Sequence, residues 1–199
     1  MKPFVHLHNH TTFSHRDALQ KLDSMCAAAS ADGQKAIAVT DHGNLAASWK
    51  FATAAGRSGL KPIHGIEAYL AHGSFLEQNT EDAPGDDQVG SGGGDTETDR
   101  QSGTKRSKYH HLTVLAADRT GWRNLLLLSN AAHDGRGFWH KPRVGMELLD
   151  SHSGGLVVLT GCLGGPVAGP LAAGDRERAT RNCGLWWTSS APNGSSWRS

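Results

Sequence analysis

The chain opens with His6-Leu7-His8-Asn9-His10, directly behind the apolar pair Phe4-Val5. In an extended segment successive side chains point to opposite faces, so His8 and His10 share one side and His6 faces the other. Two imidazoles on one strand end can grip a single metal ion or two adjacent ones, because histidine is the commonest nitrogen ligand for such ions. Further donors recur downstream: Asp17 just after this first run, then His42, Glu67, His111 and Cys162 at the ends of predicted strands. Imidazoles, carboxylates and a thiolate are the right set for two or three divalent ions, zinc first, with manganese or iron as the other candidates. A carboxylate such as Glu67 can bridge two cations. A centre of this kind serves phosphate ester hydrolysis, in which one cation lowers the pKa of a water nucleophile and the others neutralise the phosphate and the leaving oxygen.

Singly, a histidine or cysteine is more often structural than a ligand; the weight lies in the same placement recurring in each strand–loop unit. The remaining histidines, His15, His64, His72, His110, His133, His140 and His152, read as surface residues or as support for the ligands. Cys26 lies on the apolar face of a predicted helix and reads as core.

The elements that must position these donors follow from apolar periodicity. Phe4 to His8 reads as a first strand. Asp17 to Ala31 has helical spacing (Ala18, Leu19, Leu22, Met25, Cys26, Ala29) and ends at Asp32-Gly33. Ala36 to Val39 is a short apolar strand leading into Thr40-Asp41-His42-Gly43, and Asn44 is placed to cap a second helix through Trp49, Phe51 and Ala55. Ile63 to Leu70 is a third strand. Tyr109 to Ala116 is a fourth, Thr120 to His133 a helix, 138–143 a loop, Met146 to His152 a short helix and Gly155 to Thr160 a fifth strand. A further helix starts near Leu171. The alternation predicts an α/β domain with parallel strands, whose carboxyl ends would open on one side and gather the donors there.

Composition narrows the class. The chain has 199 residues, enough for one domain with a real core, and a formal net charge of +1, so a nucleic-acid contact would have to be local. No apolar run is long enough to span a bilayer, and the start reads as a strand, not a signal peptide. Three widely spaced cysteines argue against a disulfide framework and fit a reducing cytoplasm. The segment 73–108 is rich in Gly, Asp, Glu, Ser and Thr, with a basic end (Arg100, Lys105, Arg106, Lys108), and reads as a mobile insertion. From Cys183 onward three of the six tryptophans fall among Ser and Gly without periodicity. That tail, 183–199, reads as out of frame or truncated relative to a domain spanning 1–182.

His-Leu-His-Asn-His, Thr40-Asp41-His42-Gly43-Asn44-Leu45, Gly65-Ile66-Glu67-Ala68-Tyr69, Lys141-Pro142-Arg143 and Thr160-Gly161-Cys162-Leu163 together resemble a polymerase and histidinol phosphatase (PHP) domain. The Gly-Asn-Leu, Glu-Ala-Tyr, Lys-Pro-Arg and Gly-Cys-Leu runs are similar to the branch at the amino terminus of bacterial DNA polymerase III alpha subunits. The resemblance implies a distorted (β/α)7 barrel, here incomplete at the carboxyl end, with a trinuclear metal site. It carries metal-ligand roles to His8, His10, Asp17, His42, Glu67, His111 and Cys162, with Glu67 and His42 nearest the chemistry. Asp17 is followed by Ala18 where the family usually has Gly, and no Asp-x-His follows Cys162 to supply the late ligands. The implied activity is metal-dependent phosphodiester hydrolysis, a 3′→5′ exonuclease acting on a DNA primer end beside other replisome subunits. The alternatives are a metal-stabilised scaffold, an inactive fragment, or a small-molecule phosphatase such as histidinol phosphatase. Palm, thumb and fingers domains are absent, so this chain does not polymerise DNA by itself.

Overall fold

A computed structural model describes residues 4–15, 17–71, 96–98, 105–107, 109–135, 137–139, 141–161 and 163–188. Its centre is the long strand β2 (Lys61–Ala71), whose second half is buried on both faces. One edge of β2 pairs in antiparallel register with β5 (Tyr109–Ala116), and β5 pairs in turn with β8 (Leu156–Leu159), also antiparallel. The other edge of β2 is shared. Its start pairs in parallel with β1 (Ala36–Val39) and its end with β7 (Lys141–Val144), which folds back on β6 (Phe138–Trp139). Between β1 and β7 a single parallel bridge joins His42 to Glu67: the Glu67 N–H donates to the Asp41 carbonyl and the Gly43 N–H to the Glu67 carbonyl. A separate two-stranded ribbon pairs β3 (Thr96–Thr98) with β4 (Lys105–Ser107).

Helices bury two apolar clusters against this sheet. In the first, α1 (Leu22–Ala31) and α2 (Ser48–Arg57) pack Met25, Cys26 and Phe51 onto Ile37 and Val39 of β1. In the second, α3 (Arg119–His133) and α4 (Met146–Ser151) pack Leu125, Leu128 and Leu149 onto Leu112 and Val114. The helices α5 (Ala168–Ala172) and α6 (Arg176–Thr188) follow β8. Asp118 caps α3 by accepting a hydrogen bond from the Gly121 N–H, which fixes where that helix starts.

The architecture is therefore a mixed α/β sheet with helices, not the all-parallel sheet that the alternation predicted. Two neighbouring pairs, β2 with β5 and β5 with β8, are antiparallel. The apolar runs themselves carry no signal of direction, since a strand buried on both faces looks the same in either sense.

Local expectations meet the structure unevenly. The segment from Phe4 to His10 is extended but not a regular strand. It lies along β1, where the Ala38 and Thr40 N–H groups donate to the His6 and Asn9 carbonyls, while the Asn9 amide and Thr40 hydroxyl replace other ladder bonds. The first helix begins at Leu22, not Asp17; Ala18 and Leu19 belong to the preceding loop, and Leu19 is 93% exposed. Asn44 does not cap α2. Its side chain holds the preceding turn, donating to the Phe13 and His42 carbonyls and accepting from the Ala46 N–H. The expected loop at 138–143 contains β6 and most of β7. The final helix runs past Cys183 to Thr188, and the rest of the unusual tail lies outside the described residues, as does most of the insertion apart from the β3–β4 ribbon. His64, expected at the surface or in support of the ligands, is half-buried between the rings of Phe51 and Trp122, and burial lowers its pKa.

Candidate metal centre

Glu67 lies in the buried half of β2, with its side chain 2% exposed. An isolated carboxylate there would be costly to ionise. Four imidazoles surround it instead. Glu67 Oε2 lies 2.9 Å from His10 Nε2, 3.0 Å from His42 Nδ1 and 3.5 Å from His8 Nε2, and Oε1 lies 3.1 Å from His111 Nδ1. Asp17 extends the cluster outward, with Oδ2 3.1 Å from His42 Nε2. The structure thus brings together six of the seven residues singled out in the sequence. The seventh, Cys162, lies outside the described residues, as do His72 and His140. Gly164 accepts a hydrogen bond from the His111 backbone N–H.

The convergence has a different cause from the expected one. His111 sits near the amino end of β5, not at a carboxyl end. Because β5 runs antiparallel to β2, its amino end meets the far half of β2, and the register sets His111 opposite Tyr69, diagonal to Glu67 on the same face. His42 arrives from the segment after β1 through its bridge to Glu67. His8 and His10 come from the extended segment beside β1. Asp17 comes from the loop before α1; a helix beginning at Asp17, as the sequence suggested, would have replaced that loop.

A hydrogen-bonded layer beneath the cluster was not singled out by type and spacing. Asp41 is 2% exposed and accepts from the Thr11 N–H (2.7 Å), the Thr11 hydroxyl (2.9 Å) and the Ser14 hydroxyl (2.7 Å). With its proton committed to that carboxylate, Ser14 Oγ is left as acceptor for the His42 N–H at 3.1 Å and for His10 Nδ1 at 3.3 Å. In that arrangement the His10 Nδ1 carries its proton toward Ser14, and Nε2 is the nitrogen turned to Glu67 and open to a cation once deprotonated. The signal was present in Thr40-Asp41-His42: a carboxylate beside a ligand-type histidine. Its partners, however, lie about 30 residues away in sequence. Tyr69 is the other residue missed; its ring stacks on His42 at 5.9 Å and meets His111 edge-on at 5.3 Å.

The electrostatics follow from this packing. Burial pushes the Glu67 carboxyl upward, but the imidazoles of His10, His111, His42 and His8 packed around it outweigh that effect and hold the group far below the usual carboxylate range. Burial pushes the His42 imidazole downward; Glu67 and Asp17 outweigh it and raise the pKa.

The donor set fits divalent cations. Three overlapping groups, His8-His10-Glu67, His10-Asp17-His42 and His42-Glu67-His111, each bring their ligand atoms within 4.8 Å of one another. Donors bound to one tetrahedral ion at about 2.0–2.2 Å sit roughly 3.4 Å apart, close to the separations here. The His42 Nδ1 atom is buried with no hydrogen-bond partner: it lies 3.0 Å from Glu67 Oε2 but off the bonding direction. A lone pair so placed suits a cation.

The sequence matches the PHP domain family over residues 6–192, and the chain belongs to that family. Its relatives narrow this further. The chain is 40% identical over 164 residues to the DNA polymerase III subunit alpha of Aquifex aeolicus, covering 82% of this chain and 13% of the relative. It is 35% identical over 183 residues to the same subunit of Mycobacterium tuberculosis, covering 92% and 15%, and 36% identical over 176 residues to that of Treponema pallidum, covering 88% and 13%. The chain thus spans about an eighth to a seventh of the length of these relatives. Among solved structures, an amidohydrolase from Chromobacterium violaceum matches 64% of this chain and 34% of its own at 18% identity with a TM-score of 0.37, a likeness too slight to argue from. Among the described residues no helix is long and apolar enough to cross a membrane.

Proposed function

We propose that the chain is the metal-dependent phosphoesterase domain of a replicative polymerase subunit, hydrolysing the terminal phosphodiester of a DNA primer end. The observation that carries this reading is Glu67: a buried carboxylate with four imidazole nitrogens within 3.5 Å, split between its two oxygens. That split suits a carboxylate bridging two cations. His8 and His10 serve one side of Glu67 and His111 the other. His42 is shared with Asp17, which would give a place for a third ion, and Cys162 would be the further ligand. Zinc suits this nitrogen-rich set best, with manganese or iron as substitutes. When bound, such ions activate water and neutralise charge on a phosphodiester.

The protein's own part is positional. The His42–Glu67 bridge and the β2–β5 register fix three donors on rigid backbone, and the Asp41–Ser14 layer holds His10 in one tautomer. Glu67 stays ionised, as the ligand role requires. Homology to polymerase subunits supports a DNA substrate, a replisome setting and a cytoplasmic location. The test is metal content of the purified chain together with hydrolysis of single-stranded DNA and of p-nitrophenyl phosphate. Two or three equivalents of metal, with DNA cleavage that is lost in His8→Ala, is the expected result. Metal without cleavage would move the reading to a scaffold.

A further inference from the structure

The face of the sheet that carries the metal centre continues past it onto β7. Tyr69 is in register with Arg143, so Arg143 lies on the side of β2 that holds Tyr69 and Glu67. Lys141, two residues earlier on the same strand, shares that face. A single row therefore crosses three neighbouring strands: His111 on β5, Glu67 and Tyr69 on β2, Lys141 and Arg143 on β7.

Lys141 Nζ lies over the Tyr69 ring, 5.6 Å from its centroid, and that ring stacks on His42. The ammonium and His42 therefore share the Tyr69 ring as a neighbour. Lys141 has no carboxylate partner among the described residues. Pro142 beside it closes against Gly43, where a Cβ would come within 2.6 Å of Pro142 Cγ, so the strand is held tightly to the segment bearing His42. A cation placed beside a pocket built for cations repels what that pocket holds unless an anion lies between them.

We infer that Lys141 is a substrate-positioning residue that binds a backbone phosphate of single-stranded nucleic acid next to the one engaged at the metal centre. The inference rests on the proposed phosphodiester substrate. It gives the Lys-Pro-Arg run a role that the metal ligands leave open. The net charge of +1 makes such a local contact necessary, since the chain as a whole attracts no polyanion.

The test is binding, not cleavage, so an inactive centre would leave it interpretable. Affinity of the metal-loaded chain for a fluorescein-labelled oligothymidylate, its 3′-terminal linkages phosphorothioate to slow hydrolysis, is measured by anisotropy across a salt series. Lys141→Met keeps an unbranched stem and removes the charge. It is expected to weaken binding about fivefold at low salt and to reduce the salt slope by roughly 0.7, the share of one phosphate contact on a single strand. Lys141→Arg is expected to restore both. Lys35→Met, which removes one charge before the far end of β1, is the control for net charge. Equal effects of Lys35→Met and Lys141→Met, an unchanged slope in Lys141→Met, or no binding by the parent chain would each overturn the inference. Unchanged metal content and melting temperature in Lys141→Met would show that the change lies in binding and not in folding.

Discussion

Glu67 and the histidines around it make two opposite demands on protons. In the metal-free chain, the depressed Glu67 pKa contributes stability that is present above about pH 4.3 and lost as pH falls further. The raised His42 pKa contributes stability that is full below about pH 6.5 and is lost as pH rises through its higher folded value. Metal binding needs neutral imidazoles and so reverses the trend. The melting temperature of the chelated protein should therefore fall from about pH 6 to pH 8, while that of the metal-loaded protein should rise over the same interval. Parallel profiles in scanning calorimetry would refute the shared use of these groups. The layer beneath the ligands offers a second test. Ser14→Ala removes the acceptor that orients His10 and His42 and is expected to weaken metal binding by roughly 10–100-fold while the chain still folds. Competition with a chromogenic chelator reads this directly, and an unchanged affinity would mean that His10 is oriented by packing alone.

At the scale of elements, the site depends on how the segment after β1 is seated between β1 and β7. Gly43 is the hinge of that seating. Its φ is +63°, and an added Cβ would also meet Tyr69 Cε2 at 2.9 Å. Gly43→Ala should cost about 1–2 kcal/mol from backbone strain alone, a drop of roughly 2–8 °C in melting temperature. It should also reduce metal content, because His42 immediately precedes it. Normal metal content in a destabilised Gly43→Ala would separate the turn from the site. The loop before α1 acts similarly: by starting the helix at Leu22 instead of Asp17, the chain leaves Asp17 free to reach His42.

For the molecule as a whole, the centre draws its ligands from the elements that carry two separate apolar clusters. One cluster is built on β1 with α1 and α2, the other on β5 with α3 and α4, and β2 runs through both neighbourhoods. The candidate ligands come from the segment before α1, the segment after β1, β2 and β5, so bound metal would tie the two halves together. A ligand that binds only the folded state at a thousand times its dissociation constant stabilises it by about 4 kcal/mol. Chelation should therefore lower the melting temperature by several degrees, and Glu67→Gln should abolish the difference between chelated and metal-loaded protein. A metal-dependent shift that survives in Glu67→Gln would place the ion elsewhere.

Residue type and spacing alone gathered His8, His10, Asp17, His42, Glu67, His111 and Cys162 as one candidate set, because the same placement recurs at the ends of the apolar runs. They also located β1, β2, β5 and β8 and the helices between them, since burial imposes its periodicity on the sequence. Strand direction was not legible: a doubly buried strand reads alike in both senses, and only its pairing shows that His111 meets Glu67 from an antiparallel neighbour. Nor was the network of Thr11, Ser14 and Asp41, whose members are ordinary polar residues until about 30 positions of intervening chain are folded away. The placement of Lys141 over Tyr69 is of the same kind. It comes from the pairing of β2 with β7, a contact between residues about 70 positions apart that no local pattern encodes.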